Sequence, residues 1–280
     1  MRYVSYSMLG SPRAGVLEGE MVRPFPAHIR SLRDYLTHDA REGLDTEAPV
    51  PLADIVLDAP LRPYKNVVCI GRNYLDHAEE VARANGQELR LPDVPTFFTK
   101  APTAIVAPGA TVHWRRDVSQ AYDWEGELAV VVGKRCRDLS ETEALSAVFG
   151  YTCLNDLTAR DLQRSHQQWF KGKSLDGSCP IGPWIVSTDE IGDPQNLAIE
   201  LRVDGETKQK SHTSRMIFSV ARALAFLSRG MTLEPGDVLA TGTPEGVGFA
   251  RTPPETLHDG QTIEVEIERI GILRNTIEIR

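Results

Sequence analysis

The 280-residue sequence lacks any apolar run of the roughly 18–20 residues that a membrane-spanning helix requires. Its N-terminus has no basic stretch followed by an apolar core, so no secretory signal is predicted. Cysteine is scarce: the four residues show no CxxC or other zinc-like spacing, which argues against a thiolate zinc site or a disulfide framework. Internal repeats and low-complexity tracts are missing as well. These absences predict a cytoplasmic protein whose cysteines are small buried thiols.

Excess positive charge is also lacking. The chain carries 31 basic and 39 acidic residues, a net charge of −8, which gives no reason to expect nucleic acid or an anionic membrane as partner. Hydrophobic residues make up 41% and charged residues 25%, as in ordinary globular proteins. An acidic protein of this kind can bind an anionic substrate only if a metal ion or a few placed lysines and arginines supply local positive charge.

Two domains are predicted, a small N-terminal domain with its linker at residues 1–63 and a catalytic domain at residues 64–280. The first part is predicted to form a small hairpin-rich sheet over Met1–Val22 and a short helix capped by Ser31. A connector rich in proline follows and ends near Pro63.

The larger part is predicted to be dominated by β-strands. Predicted helices cover Asp76–Asn85, Leu157–Gln168 (with Asp156 as its possible cap) and Met216–Ser228. Strands and helices do not alternate strictly, which disfavours a Rossmann fold or a TIM barrel and favours a mostly β, α+β architecture. Predicted strands are Asn66–Ile70, Thr96–Thr99, Leu128–Val132, Val148–Leu154, Ala198–Val203, Gln209–His212, Val238–Thr241, Ile263–Ile267 and Ile272–Ile277.

The start of one buried strand carries two carboxylates. Glu125 and Glu127 are separated by one residue and precede the apolar run Leu128–Val132, so on a strand they point to the same face. Like charges at that spacing repel unless a cation lies between them, and carboxylates suit hard cations such as Mg²⁺, Mn²⁺ or Ca²⁺. The alternative is a solvated sheet edge. Asp156, at the junction of a strand and the next predicted helix, is the third candidate ligand, with helix capping as the alternative.

An acid–base pair is predicted where a helix follows the strand Asn66–Ile70. His77 and Glu80 share a helix face, so the carboxylate can fix the imidazole tautomer and leave the other nitrogen to accept a proton. The alternative is a surface charge pair. Lys173 is a candidate counter-charge in a glycine-containing loop.

The glycine-rich segment Thr241–Gly248 lacks the Gly-Lys-Ser/Thr ending of a phosphate loop, so a nucleotide site is rejected. Its free backbone N–H groups and the Thr243 hydroxyl are candidates to hold a substrate carboxylate, with an ordinary tight turn as the alternative.

These motifs, taken in order, resemble the fumarylacetoacetate hydrolase family over residues 64–280. The matching segments are Gly71–Glu80, Phe97–Lys100, Asp123–Glu127, Asn155–Gln163, Lys171–Ser174, Ser214–Phe218 and Thr241–Gly248.

The resemblance implies a rolled mixed β-sheet catalytic domain that forms homodimers. It implies Mg²⁺ or Mn²⁺ on Glu125, Glu127 and Asp156, with Ca²⁺ as a substitute in crystals. It further implies catalytic roles for His77, Glu80 and Lys173, with His77 and Glu80 in a segment that closes as a lid. Four further positions fall near the substrate: Arg72, Lys100, Gly242 and Thr243.

The chemistry that the resemblance implies acts on a small 2-oxo acid, whose enolate the cation would stabilise. The main expectation is hydrolysis of a C–C bond in an acylpyruvate-like 2,4-dioxo acid by a water that His77 and Glu80 activate. The alternative is a decarboxylase or isomerase of oxaloacetate-like or longer 2-oxo dioic acids at the same site. A third hypothesis, a binding module without activity, is disfavoured because every expected catalytic position is present.

Overall fold

The computed structural model describes residues 1–37, 47–84, 86 and 88–280. The N-terminal part forms β1 (Arg2–Met8), β2 (Ser11–Glu18), β3 (Met21–Pro24), α1 (Leu32–Thr37), β4 (Val50–Pro51) and β5 (Val56–Leu57). The chain continues with β6 (Val67–Gly71), α2 (Leu75–Ala84), β7 (Thr96–Lys100), β8 (Ile105–Val106), β9 (Thr111–Trp114), β10 (Tyr122–Asp123), β11 (Gly126–Val132), α3 (Glu141–Ala144), β12 (Val148–Asn155) and β13 (Thr158–Ala159).

The remaining elements are α4 (Arg160–Ser165), α5 (Phe170–Lys173), β14 (Cys179–Ser187), α6 (Thr188–Ile191), β15 (Ala198–Val203), β16 (Glu206–His212), α7 (Val220–Ser228), β17 (Val238–Ala240), β18 (Thr262–Ile267) and β19 (Gly271–Ile279). Short 3₁₀ turns cover Leu52–Asp54, Pro102–Ala104, Leu145–Ala147, Thr213–Arg215 and Gly248–Ala250. The architecture is mostly β with short helices, which confirms the predicted fold class.

Two large sheets make up the fold. A 12-stranded mixed sheet runs in the order β4-β3-β2-β1-β14-β12-β11-β17-β6-β7, with β5 beside β1 and β8 beside β14. A five-stranded sheet runs β16-β15-β18-β19-β9 and packs against the first near Gly126, where an added Cβ would lie 3.2 Å from the Leu201 side chain. Every residue of β11 is buried, because neighbours on both edges and both faces cover it. The candidate site lies at the start of this central strand.

The predicted N-terminal hairpins form, and Ser31 caps α1 by accepting from the Asp34 amide at 3.1 Å. The strand β1 pairs with β14, so the N-terminal strands extend the main sheet. Their side chains share one core with later strands, as Phe25 does with Ile181. The division into domains 1–63 and 64–280 stays a prediction.

The predicted helix Leu157–Gln168 is wrong in extent. Only Arg160–Ser165 is helical there, because Thr158–Ala159 pairs with Tyr122–Asp123 as a short strand before the helix starts. Asp156 does not cap this helix, since its carboxylate binds lysine side chains instead. The helix predicted from Met216 begins at Val220, where Ser219 accepts from the Arg222 amide at 3.1 Å.

The predicted hairpin at Asp204-Gly205 is confirmed, with φ angles of 51° and 80° at the two turn residues. All four cysteines are free thiols, and three of them (Cys69, Cys153 and Cys179) are buried. Among the residues that the structure describes, no helix combines the length and the apolar character that crossing a membrane requires.

Candidate active site and metal centre

The three predicted metal ligands meet in the structure. Glu125 immediately precedes β11, Glu127 lies in it, and Asp156 follows the partner strand β12. Gly126 pairs with Asn155, and the Asp156 amide donates to the Glu125 carbonyl at 2.8 Å, so strand pairing brings the distant Asp156 alongside. One carboxylate oxygen from each residue lies within 4.8 Å of the others, and all three residues are buried.

The positively charged side chains near these carboxylates contact Glu125 and Asp156. Lys173 Nζ lies 2.5 Å from Glu125 Oε2 and 2.7 Å from Asp156 Oδ2, and Arg160 lies 2.6 Å from Glu125 Oε1. Burial alone would raise the pKa of Glu125, but the charges of Lys173 and Arg160 outweigh it and lower that pKa to about 2. Burial together with the charges of Asp156 and Glu125 raises the pKa of Glu127 well above its usual value.

The residues present fit a divalent cation. Three buried hard oxygen donors converge, and the burial and like charges that raise the pKa of Glu127 are conditions that a bound cation would relieve. These observations support a carboxylate metal centre on Glu125, Glu127 and Asp156. They do not distinguish Mg²⁺ from Mn²⁺, because both accept such ligands.

Lys100 lies behind this cluster. Its side chain is fully buried, and Nζ donates to Asp156 Oδ1 at 2.6 Å and to the Leu157 carbonyl at 3.1 Å. Asp156 is thus held between two lysines, one on each carboxylate oxygen. Among the predicted substrate contacts, Lys100 is therefore placed to act through Asp156, and direct contact with substrate stays a prediction.

The predicted acid–base pair, His77 and Glu80, lies on α2, and its two side chains are in contact. His77 Nδ1 lies 3.2 Å from Glu80 Oε2, and the other oxygen of Glu80 accepts from the Gly246 amide at 2.9 Å. The helix is held at its start by Asn73, which is fully buried and bonds to the Phe218 and Thr241 carbonyls. Because Glu80 holds Nδ1, Nε2 is the imidazole nitrogen left for a ligand.

The glycine-rich loop differs from expectation, because its amides are not free. Gly242 N donates to Glu127 Oε2 at 2.7 Å, and the Gly248 and Phe249 amides donate to the buried Asp123 carboxylate. The Thr243 hydroxyl donates to the Gly126 carbonyl at 3.0 Å. The loop therefore orients protein carboxylates, and substrate contact by Gly242 or Thr243 stays a prediction.

A cavity of about 320 Å³ opens onto these groups. Six predicted residues line it: Arg72, His77, Glu125, Glu127, Lys173 and Thr243. The other four are not among its lining residues but contact other site residues: Glu80 contacts His77, Gly242 contacts Glu127, Lys100 contacts Asp156, and Asp156 contacts Lys173.

Sequence reasoning assigned no role to Asp123 and Arg160, which the structure places in the same network. Arg160 Nε lies 2.8 Å from Asp123 Oδ2 while its other end binds Glu125. For Asp123 the sequence did contain a signal: Asp123, Glu125 and Glu127 alternate with a period of two, which places their side chains on one face of a strand. Gln163, Arg164, His166, Trp169 and Phe249 also line the cavity.

Comparisons with known proteins agree with this geometry. Residues 66–278 match the family model described as fumarylacetoacetate (FAA) hydrolase, C-terminal. The oxaloacetate tautomerase YisK of Bacillus subtilis (strain 168) is 48% identical over 256 residues, which cover 90% of this chain and 82% of that protein.

Two solved structures are similar over their whole length. The fumarylacetoacetate hydrolase of the psychrophilic Exiguobacterium antarcticum is 42% identical, with a TM-score of 0.88 and 100% of both chains covered. A 2-hydroxyhepta-2,4-diene-1,7-dioate isomerase from Mycobacterium marinum is 33% identical, with a TM-score of 0.82 over 100% of this chain and 99% of that one.

Proposed function

The chain belongs to the fumarylacetoacetate hydrolase family, and from that premise we propose that it is a divalent-metal-dependent isomerase of small 2-oxo acids. The reaction that we propose is keto–enol tautomerisation, with oxaloacetate as the first substrate to test. The observation that carries the proposal is one cavity that joins a buried Glu-Glu-Asp cluster to an imidazole and a buried ammonium group.

Tautomerisation of a 2-oxo acid moves one proton between C3 and the oxygen on C2 and breaks no carbon–carbon bond. It therefore needs a group that exchanges a proton beside the substrate and positive charge beside the oxygen. A bound Mg²⁺ or Mn²⁺ on Glu125, Glu127 and Asp156 would supply Lewis acidity at that oxygen.

His77 is the residue proposed to move the proton. It lines the cavity, and Glu80 holds its Nδ1, which leaves Nε2 as the nitrogen to exchange a proton with a substrate. Glu80 itself is fixed by the Gly246 amide, which keeps the imidazole in one orientation.

Lys173 is the second group proposed to act. Burial would lower its pKa, but the charges of Asp156 and Glu125 outweigh that effect and raise it, so the ammonium form persists. A permanent cation at the cavity wall stabilises an anionic substrate and the negative charge that develops on its oxygen.

The names of the relatives favour the isomerase alternative over the expected hydrolysis, since one is an oxaloacetate tautomerase and one a dioate isomerase. Hydrolysis of an acylpyruvate-like acid remains a second candidate, because the intact His77–Glu80 pair also suits activation of water. The predicted homodimer and cytoplasmic location stay predictions.

The test is proton exchange at C3 of oxaloacetate in deuterated buffer, followed by NMR with Mg²⁺, with Mn²⁺, and after chelation. We expect exchange above that of an enzyme-free control with the same metal, lost on chelation, and no loss of substrate beyond that control, because oxaloacetate loses CO₂ slowly without enzyme. Release of CO₂ above the control would identify a decarboxylase instead, and two acids formed from an acylpyruvate would identify a hydrolase. Absence of all three reactions in metal-loaded protein would overturn the proposal.

A further inference from the structure

The cavity has two differently charged parts. Its inner end carries the carboxylates of Glu125 and Glu127. Two of the cationic residues that line it form ion pairs with carboxylates of that cluster and its neighbours. Arg160 binds Asp123 and Glu125, and Lys173 binds Glu125 and Asp156. These cations therefore contribute to the charge balance of the carboxylate cluster.

Two further arginines line the same cavity and do not take part in these ion pairs. Arg72 and Arg164 are both exposed, and neither forms an ion pair with a carboxylate of residues 1–37, 47–84, 86 or 88–280. The contact that the structure records for Arg164 is with an aromatic ring, the side chain of Phe249, at 5.4 Å from Cζ to the centroid. In a chain of net charge −8, two arginines that line one cavity without acidic partners favour binding of an anion there.

The position of Arg164 relative to the carboxylates follows from α4. Arg160 and Arg164 are one helical turn apart, which sets side chains about 5–6 Å from one another on the same face. Both guanidinium groups lie over the Phe249 ring, Arg160 at 4.5 Å and Arg164 at 5.4 Å. Because Arg160 touches Glu125, Arg164 lies one turn farther from the carboxylate cluster along the cavity wall.

Arg72 lines the cavity from a different segment, the connection between β6 and α2. Its φ of 58° is in the left-handed region that non-glycine residues rarely adopt. Gly71 beside it packs directly on Trp169, where an added Cβ would lie 2.5 Å from the ring. An arginine held in an unfavourable backbone conformation at a cavity wall is typical of a residue kept for its side chain.

We propose that Arg164 and Arg72 bind the second carboxylate of a 2-oxo dicarboxylate and so determine specificity for diacids. The inference rests on the proposed function, in which the 2-oxo acid end lies at Glu125, Glu127 and Asp156. A short dicarboxylate bound in that orientation directs its distal carboxylate toward the two arginines. The planar fork of arginine suits a carboxylate because it donates two parallel hydrogen bonds.

The test compares oxaloacetate with its 4-methyl ester, which has the same backbone but no distal charge. Arg164→Gln and Arg72→Gln are measured beside Arg222→Gln, a matched control. Arg222 is also exposed and also lies over aromatic rings, 5.0 Å from Phe218 and 5.8 Å from Phe226, but it lies on α7, outside the cavity lining.

We expect kcat/KM for oxaloacetate to fall about 10- to 100-fold in each cavity variant, the loss that follows from one charge-assisted hydrogen-bonded contact. The ester should change less than about threefold, and Arg222→Gln should leave both values unchanged. An equal fall for diacid and ester, or no fall for either, would overturn the inference.

A binding measurement separates this inference from the proposed function. Malate and its 4-methyl ester are titrated calorimetrically into Mg²⁺-loaded protein, where no turnover is needed. Weaker binding of malate but not of its ester to Arg164→Gln supports the site even if no tautomerase activity is found. Equal binding of malate by the wild-type protein and both variants rejects the site even if tautomerase activity is present.

Discussion

Lys100 Nζ lies 2.6 Å from Asp156 Oδ1, and both side chains are fully buried. The other oxygen of Asp156 faces Lys173. A buried carboxylate between two ammonium groups is fixed in orientation, so Lys100 holds a proposed metal ligand in place without lining the cavity itself. The pair connects the strand β7 to the end of β12, and it ties the proposed metal centre to the stability of the main sheet.

Lys100→Met is expected to lower the free energy of unfolding by about 3–5 kcal/mol, because it leaves a buried carboxylate without one partner. Mg²⁺ should restore part of that loss, since the cation neutralises the same carboxylates. Thermal unfolding with and without Mg²⁺ measures both effects, and the increase in Tm on adding Mg²⁺ should be larger in the variant. An unchanged Tm in metal-free Lys100→Met would contradict the prediction.

Glu127→Gln is expected to weaken binding of Mg²⁺ or Mn²⁺ by more than about 100-fold, beyond the 10–100-fold cost of losing an outer-shell partner. The metal-free variant should be at least as stable as the wild type. Glu127 has a raised pKa when folded, so its contribution to stability is present below the unfolded pKa and is lost as the pH rises through the folded one. Above the unfolded pKa, the raised folded pKa therefore opposes folding, and glutamine removes that cost.

Calorimetric titration and thermal unfolding measure the two parts of this prediction. Glu206→Gln, an exposed glutamate that pairs with Lys208 outside the cavity, is the control for losing one acidic side chain. Metal binding by Glu127→Gln at wild-type affinity would remove Glu127 from the ligand set.

His77→Ala is expected to lower kcat of the proposed tautomerase by about 10²- to 10⁴-fold, the usual contribution of a positioned acid–base group. Metal affinity should stay within about threefold of the wild type, because His77 contacts Glu80 and none of the three carboxylates by hydrogen bond. Glu80→Gln should have a smaller effect, since its amide oxygen can still accept from Gly246. Full activity in His77→Ala would assign the proton transfer to another group.

Asp76→Asn is expected to loosen α2 without unfolding the protein. Asp76 Oδ1 lies 2.6 Å from Arg215 Nη2, and the hydrogen bonds from Arg215 lower the pKa of Asp76 below its usual value. The contribution of this carboxylate is therefore present above the ordinary pKa and is lost as the pH falls through the lowered one. The effect of the substitution should be present at neutral pH and disappear in acid.

Hydrogen exchange of the α2 amides is the measurement for this substitution, with faster exchange expected at neutral pH. Asp58→Asn is the matched control, because Asp58 pairs with Arg62 at 2.8 Å on a surface away from α2. Equal exchange of α2 in both variants would show that the Arg215 contact does not hold the helix.

Local pattern determined much of this protein in advance. The period of two at Glu125 and Glu127, the three-residue spacing of His77 and Glu80, and the turn at Asp204-Gly205 each predicted their structure, because strand, helix and turn geometry act over a few residues. The motifs and their order along the chain were enough to predict the family.

Tertiary structure decided what lies at long separations along the chain. Asp156 meets Glu125 because β11 and β12 pair in one register, and the pairing of β10 with β13 shortened the helix predicted from Leu157. The burial of Lys100 behind Asp156 and the amide of Gly242 on Glu127 likewise arise from packing of distant segments. A sequence shows which side chains can bind a cation or an anion, but which partner each one takes depends on the distances that only the fold sets.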